Sequence, residues 1–221
     1  MAARPAPANA ALRRDIVRTC LEMNALGINQ GKAGNVSARI PGGLLITPSG
    51  LPYAETAPAD IVFIDESGAP HGTRPPSSEW RFHYDIMRIR GEVGAILHAH
   101  PPFCTALACL GMEIPAFHYM VAVAGGDTIR CAPYATFGTQ ELSDHALAAL
   151  EGRTACLLAN HGMICVGRDL KSVLALALEV ETLAQQYWRA LQIGKPVILP
   201  AAEMRVVLEK FKTYGRPLPA P

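Results

Sequence analysis

The sequence Ile96-Leu97-His98-Ala99-His100-Pro101-Pro102 closes a short apolar run with two histidines and a double proline. In an extended strand, side chains two residues apart point to the same face, so His98 and His100 should project side by side. The prolines end the strand just past them, because proline has no N–H to donate to a neighbouring strand. Imidazole is a common metal ligand, and a strand holds two of them rigidly. The pair predicts half of a metal site if more ligands lie elsewhere; taken alone, it is more typical of an ordinary strand.

The composition is that of a compact globular protein and excludes several function classes. Of the 221 residues, 50% are hydrophobic and 18% are charged, and the formal net charge is +1. Because there is no basic cluster, we expect no nucleic-acid partner. No apolar run approaches the roughly 18 residues of a membrane span, so we expect no membrane contact. The six cysteines form no C-x-x-C pair and mostly lie in apolar runs, which favours free thiols in a reducing, cytoplasmic compartment.

Hydrophobic periodicity and turn residues predict short strands alternating with helices. Helical periodicity predicts helices at 10–26, 79–90, 101–110, 139–150, 170–192 and 202–213. Apolar runs bounded by glycine and proline predict strands at 36–40, 44–47, 61–65, 94–100, 155–159 and 163–166. The strands come in hairpin-like pairs between helices, which predicts an α/β domain with a largely antiparallel sheet covered by helices. We expect this single domain to span 10–215, with flexible tails at 1–9 and 216–221.

Two further residues complete a candidate metal site. His161 stands in the turn Asn160-His161-Gly162 between two apolar strands, where glycine is expected to let the backbone bend. Glu79 follows Pro75-Pro76-Ser77-Ser78 at the start of a predicted helix, which a serine is expected to cap. Each has a plainer interpretation, as a turn histidine bonded to backbone and as an acidic residue facing the helix dipole. Three neutral imidazoles with one carboxylate suit Zn²⁺, with Mn²⁺ or Co²⁺ as substitutes.

Three loops are rich in small polar residues of the kind that hold a phosphate. They contain Gly34-Asn35, Thr47-Pro48-Ser49-Gly50 and Ser77-Ser78. Backbone N–H groups, hydroxyls and an amide can surround an anion without many cations, above all at a helix N-terminus. Each loop alone is more typical of a turn or a cap. Together, beside a metal site, they favour a small phosphorylated substrate.

The chain also resembles a known family over nearly its whole length. The matching stretches are Asn29-Gln30-Gly31, Ala33-Gly34-Asn35-Val36-Ser37, Leu45-Ile46-Thr47-Pro48-Ser49-Gly50, 76–83, the His98-x-His100 pair, 114–120, 131–139, His161-Gly162 and 208–215. On these residues the chain resembles the class II aldolases of the aldolase/adducin family, most closely those that cleave L-fuculose 1-phosphate. The resemblance implies a three-layer α/β/α domain around a mainly antiparallel sheet, assembled as a C4 homotetramer with sites at the subunit interfaces.

The resemblance implies a role for each candidate residue. One zinc ion per subunit would be bound by Glu79, His98, His100 and His161, with Glu79 then leaving the metal to act as the base. The substrate phosphate would be held by Gly34, Asn35, Thr47, Ser49, Gly50, Ser77 and Ser78. Tyr119 of a neighbouring subunit would exchange a proton with the aldehyde oxygen, and Phe137 and Tyr214 would shape the aldehyde pocket.

The expected reaction is reversible aldol cleavage of a ketose 1-phosphate to dihydroxyacetone phosphate and a short aldehyde. A metal is expected to stabilise the enediolate, because no lysine stands out as an iminium former. L-Fuculose 1-phosphate, which gives L-lactaldehyde, is favoured. The apolar Pro101-Pro102-Phe103 departs from the family's more polar residues and leaves room for 5-deoxyribulose or 5-methylthioribulose 1-phosphate. The alternatives are a pentulose-phosphate 4-epimerase and a non-catalytic adducin-like binding domain; the intact ligand set argues against the latter.

Overall fold

The structure, a computed structural model, describes residues 8–213 as helices and short strands in alternation. The helices are α1 Ala10–Ala25, α2 Trp80–Ile89, α3 Pro102–Cys109, α4 Gln140–Ala149, α5 Leu170–Ile193 and α6 Ala201–Phe211. The strands are β1 Asn35–Ile40, β2 Gly43–Ile46, β3 Val62–Asp65, β4 Pro70–His71, β5 Ala95–Ala99, β6 Cys131–Ala132, β7 Ala155–Leu158 and β8 Gly162–Gly167. Short 3₁₀ helices lie at Tyr53–Glu55, Pro58–Asp60 and Tyr119–Ala124.

These bounds confirm the predicted helices and strands to within one or two residues. The two-residue strands β4 and β6 were not predicted, because so few residues carry no periodicity. Asp169 caps the start of α5: its carboxylate accepts from the Ser172 N–H at 2.7 Å, and the Ser172 hydroxyl oxygen accepts from the Asp169 N–H at 3.1 Å. Of the expected tail at 1–9 only Ala8 and Asn9 are among the described residues, and Tyr214 and the tail at 216–221 lie outside them.

One sheet runs through the centre, with the strand order β4-β3-β2-β1-β5-β8-β7-β6. Its neighbouring strands are antiparallel except for β6 and β7, which are parallel. Short turns connect β1 to β2 and β7 to β8, as hairpin-like pairs require. The prediction of an α/β domain with a mainly antiparallel sheet is therefore confirmed.

The sheet separates two apolar cores and makes the fold a three-layer α/β/α arrangement. On one side the β5 residues Ala95, Leu97 and Ala99 belong to a core with α1, α3, α5 and α6. On the other side Ile96 belongs to a core with α2 and α4. By the same alternation, His98 faces the layer that contains α2. No helix within residues 8–213 combines the length and apolarity needed to cross a bilayer.

The strand β5 lies between β1 and β8, so His98 has a neighbour on either side. In the sheet register it stands opposite Asn35 of β1 and Ile164 of β8. The β7–β8 turn, which carries His161, then falls at the same edge of the sheet as the end of β5. The topology therefore brings His98, His100 and His161 to one edge, beside the start of α2.

Two glycines let the chain pack closely around this edge. A Cβ on Gly34 would lie 2.5 Å from the carbonyl oxygen of His98, and a Cβ on Gly162 would lie 2.4 Å from that of Ala99 and 2.7 Å from Cδ2 of His100. Neither glycine has a positive φ, so the requirement is for space and not for an unusual backbone angle. Side chains here would push the backbone of β5 out of place.

We predict that Gly162→Ala lowers the free energy of unfolding by about 2 kcal/mol, because the new methyl group overlaps backbone atoms that cannot move aside cheaply. Gly91→Ala is the matched control, since a Cβ there meets nothing within 4 Å and φ is not positive; it should be neutral or slightly stabilising. Urea titrations of both variants make the comparison, and equal stabilities would contradict the packing argument.

Candidate metal centre

Four side chains from separate parts of the fold meet at the edge of the sheet. They are Glu79 before α2, His98 on β5, His100 just beyond β5, and His161 in the β7–β8 turn, and their ligand atoms all lie within 4.8 Å of one another. Glu79 and His98 are buried, and the other two are partly buried. These are the same four residues that were predicted from the sequence to bind a metal.

The distances within the cluster fit a shared cation. Nε2 of His98 lies 2.9 Å from Nε2 of His100 and 3.1 Å from Oε2 of Glu79, and Nε2 of His161 lies 3.1 Å from Oε1 of Glu79. These separations are near the roughly 3.3 Å between ligand atoms on a tetrahedral zinc ion. Oε1 of Glu79 is buried and receives no hydrogen bond from any described residue. A buried carboxylate oxygen without a donor is costly, and a cation at this point would satisfy it.

A backbone contact fixes the orientation of His98. Its Nδ1 lies 2.9 Å from the carbonyl oxygen of Met163 on β8. A carbonyl can only accept, so Nδ1 carries the proton and Nε2 presents its lone pair to the cluster. The neighbouring strand therefore selects the tautomer that a metal requires.

The turn that presents His161 differs in one respect from expectation. The residue with the left-handed backbone is Asn160, at φ 54°, and not Gly162, which was expected to provide the bend. Asparagine tolerates this region better than most residues. The Asn160 N–H donates to the carbonyl of Ala108 at 3.0 Å, which ties the turn to α3. Gly162 contributes by its lack of a side chain, as described above.

Glu79 takes the position at which a serine was expected to cap the helix, and that expectation is wrong. Glu79 is the residue preceding α2, and no side chain caps the first turn. Its carboxylate turns into the histidine cluster and does not face the helix dipole. The Ser77 hydroxyl accepts a hydrogen bond from the backbone N–H of Glu79 at 3.3 Å, which helps to hold that backbone.

Electrostatics favour the protonation states that a metal site needs. Burial raises the pKa of Glu79, but the close imidazoles of His98 and His161 outweigh it and leave the pKa well below its ordinary value. Burial, reinforced by His98 and His161, lowers the pKa of His100 to about 4. The carboxylate is therefore ionised and the His100 imidazole neutral near pH 7, which is the donor chemistry of a zinc site.

A buried hydrogen-bond chain behind Glu79 was missed by the sequence analysis. The Asn35 amide nitrogen donates to Oε2 of Glu79 at 3.0 Å, and Oδ1 of Asn35 lies 2.5 Å from Nε2 of His83. Nδ1 of His83 lies 2.7 Å from the Ser37 hydroxyl. Burial holds the pKa of His83 near 3, so its imidazole is neutral. The matching stretch at 76–83 included His83, but no periodicity or spacing signals such a contact.

The three loops proposed for phosphate lie against one another. The Val36 N–H donates to the Thr47 hydroxyl at 3.3 Å, and the Ser77 N–H donates to the Thr47 carbonyl at 2.9 Å. Thr47 and Ser77 are buried by these contacts, whereas Ser49, Gly50 and Ser78 are exposed. Asn35 differs from the rest, because both ends of its amide contact Glu79 and His83.

Two charged side chains near these elements were not singled out from the sequence. Lys32 donates from Nζ to the carbonyl of Gly50 at 2.8 Å, which sets a cation beside the exposed loops. The Glu181 carboxylate on α5 accepts from the N–H groups of Phe103 and Cys104, both at 2.9 Å. It thereby satisfies the first turn of α3, directly after His100.

A cleft of about 330 Å³ opens from the cluster to solvent. Its lining includes Glu79, His100 and His161 together with Tyr134 and Phe137, whose rings are largely exposed at the rim. Tyr119 does not line this cleft. It is 51% exposed and borders a separate groove beside α6.

We predict that the chelator-treated protein loses stability between pH 7 and pH 5, in part through His83. A histidine in the unfolded chain gains a proton below its pKa of about 6.5, whereas His83 in the folded protein stays neutral. Lowering the pH from 7 to 5 should therefore reduce the free energy of unfolding by about 2 kcal/mol through this group. Urea titrations at pH 7, 6 and 5 measure the slope. His83→Gln should reduce it, and an unchanged slope would contradict the buried neutral imidazole.

Two named aldolases are similar in sequence to this chain over almost all of its length. A 5-methylthioribulose-1-phosphate/5-deoxyribulose-1-phosphate aldolase from Rhodospirillum rubrum is 62% identical over 213 residues, which cover 96% of each chain. An L-fuculose phosphate aldolase from Escherichia coli K12 is 53% identical over 205 residues, covering 92% of this chain and 95% of the relative.

The folds agree as well. A solved L-fuculose 1-phosphate aldolase superposes with a TM-score of 0.90 at 39% identity, covering 95% of this chain and all of the other. Residues 14–188 match the family described as Class II Aldolase and Adducin N-terminal domain. The chain therefore belongs to the class II aldolase and adducin family, and it is an aldolase.

Proposed function

We propose that this aldolase uses zinc to cleave 5-deoxyribulose or 5-methylthioribulose 1-phosphate, reversibly, to dihydroxyacetone phosphate and a short apolar aldehyde. The observation that carries the proposal is the buried Glu79 oxygen without a donor, surrounded by three imidazoles and open to a cleft. The free thiols of all six cysteines are consistent with a cytoplasmic enzyme.

The ligand set supports zinc, with Mn²⁺ or Co²⁺ as substitutes. Glu79, His98, His100 and His161 offer three nitrogens and a carboxylate, which is borderline-soft donor chemistry. A bound Zn²⁺ supplies the Lewis acid that stabilises the negative charge of the enediolate. The protein fixes the direction of the His98 lone pair through the carbonyl of Met163.

The phosphate is proposed to bind across the three adjoining loops. Ser49, Gly50 and Ser78 are exposed there, and Lys32 provides a cation next to Gly50. Gly34, Thr47 and Ser77 shape the loops, and the hydrogen bonds of the Val36 and Ser77 N–H groups to Thr47 hold the other N–H and hydroxyl groups of the loops in fixed positions. Such preorganised donors bind an anion with little loss of entropy.

Glu79 and Tyr119 are proposed to move the two protons. In the condensation direction, the ionised Glu79 carboxylate takes a proton from C3 of dihydroxyacetone phosphate, and the electron pair of that C–H bond remains on the enediolate. The enediolate carbon then bonds to the aldehyde carbon while the Tyr119 hydroxyl of a neighbouring subunit gives its proton to the aldehyde oxygen. Cleavage runs through the same steps in reverse, and Glu79 and Tyr119 exchange protons with solvent between turnovers. The exposure of Tyr119 outside its own cleft supports a site shared between subunits, and we propose the C4 homotetramer that the family resemblance implies.

The choice of aldehyde rests on the apolar residues that follow His100, on the aromatic rings of the cleft and on the names of the relatives. Pro101, Pro102 and Phe103 carry no side-chain hydrogen-bond donor after His100, and aromatic rings stand at the rim. The R. rubrum relative at 62% identity is named for both proposed substrates. L-Fuculose 1-phosphate, favoured from the sequence alone, is the second candidate, since the E. coli relative at 53% is named for it.

A substrate panel with coupled detection of dihydroxyacetone phosphate tests this proposal. We predict that kcat/KM for 5-deoxyribulose and 5-methylthioribulose 1-phosphate exceeds that for L-fuculose 1-phosphate about tenfold, because an apolar pocket discriminates only modestly against an added hydroxyl. Preference for L-fuculose 1-phosphate would reverse the ranking of substrates. Cleavage of none of the three would contradict the proposed function.

We predict that Glu79→Gln lowers hydrogen exchange at C3 of dihydroxyacetone phosphate at least about 100-fold, because the amide cannot act as the base. Tyr119→Phe should slow cleavage more than exchange, since the tyrosine acts only at the aldehyde side. Deuterium exchange and cleavage rates are measured on both variants at matched zinc content. Equal losses of both rates in Tyr119→Phe would refute the division of roles.

A further inference from the structure

His83 is a buried titratable group that the proposed chemistry does not use. It projects from α2 toward β1, its exposed fraction is 0%, and Phe82 stacks against it with ring centroids 4.7 Å apart. Its two nitrogens contact Ser37 and Asn35, which are also buried. These contacts form one hydrogen-bond chain, which continues from Asn35 to Oε2 of Glu79.

The Glu79 carboxylate, at the end of this hydrogen-bond chain, fixes the direction of every hydrogen bond in it. An ionised carboxylate can only accept, so the Asn35 amide must turn its NH₂ group toward Glu79 and its Oδ1 toward His83. Oδ1 can only accept in turn, so Nε2 of His83 carries the ring proton. Nδ1 is then an acceptor, and the Ser37 hydroxyl donates to it. Only one tautomer of His83 satisfies all four residues.

We propose that His83 is a positioning residue for the base, holding the Asn35 amide with its N–H group on Oε2 of Glu79. This inference rests on the proposed role of Glu79 in the aldol reaction. If His83 did not donate, the Asn35 amide would be free to rotate and turn its oxygen toward the carboxylate. With His83 in place, Oε2 is held, and Oε1 is the oxygen without a hydrogen-bond donor. The structure thereby assigns the transferred proton to Oε1.

Two substitutions separate positioning from mere packing. Glutamine places an amide nitrogen near the position of Nε2 and can still donate to Asn35, whereas asparagine reaches only to the position of Nδ1. At equal zinc content, His83→Asn should lower kcat for C3 exchange of dihydroxyacetone phosphate about 10-fold or more, with KM changed less than about threefold. His83→Gln should recover to within about threefold of wild type. Equal losses in the two variants, or no loss in His83→Asn, would overturn the proposal.

A measurement on the unaltered holoenzyme covers the case in which the variants do not fold. Long-range ¹H–¹⁵N correlation of the histidine rings reports which nitrogen carries the proton. We expect His83 to be neutral and protonated on Nε2, and a proton on Nδ1 would overturn the proposal. Wild-type protein without C3 exchange would instead refute the proposed function, and the tautomer would still test the hydrogen-bond chain.

Discussion

A buried carboxylate surrounded by imidazoles is the constraint on which the rest of the structure depends. Glu79 is 5% exposed, and two histidine nitrogens lie 3.1 Å from its oxygens. Neutral imidazoles with converging lone pairs cannot neutralise an ionised carboxylate, so the arrangement is costly until a cation enters it. Three features keep these four side chains close together: the central position of β5, the close backbone packing at Gly34 and Gly162, and the left-handed backbone of Asn160.

The metal cluster and the reaction it serves place different demands on the surrounding chain. The cluster needs rigid neighbours, and the sheet and the Asn35–His83 contact supply them. The substrate needs accessible donors, and the exposed Ser49, Gly50 and Ser78 are on loops beside the sheet edge. The proposed division between a buried metal half and an exposed phosphate half is consistent with one scaffold accepting different aldehydes, because the proposed aldehyde side is formed by separate residues.

Much of the fold was predictable because its helices and strands carry clear periodicity. The short apolar run of β5 predicted the strand, and the two-residue spacing of His98 and His100 predicted their shared face. The two-residue strands and the order of the sheet were not readable from local patterns, since they depend on contacts far apart in the sequence. The four residues of the cluster were predicted through spacing together with family resemblance. His83 and Glu181 were missed because their partners, Asn35 and the start of α3, lie 48 and 78 residues away.

X-ray absorption at the zinc edge of the zinc-loaded wild-type protein tests the central claim most directly. Three imidazoles and one carboxylate sharing a cation predict about three nitrogen ligands and an oxygen at roughly 2.0–2.1 Å, with the outer-ring scattering that imidazole produces. Sulfur scattering at roughly 2.3 Å, or a shell of oxygens without imidazole scattering, would contradict the account.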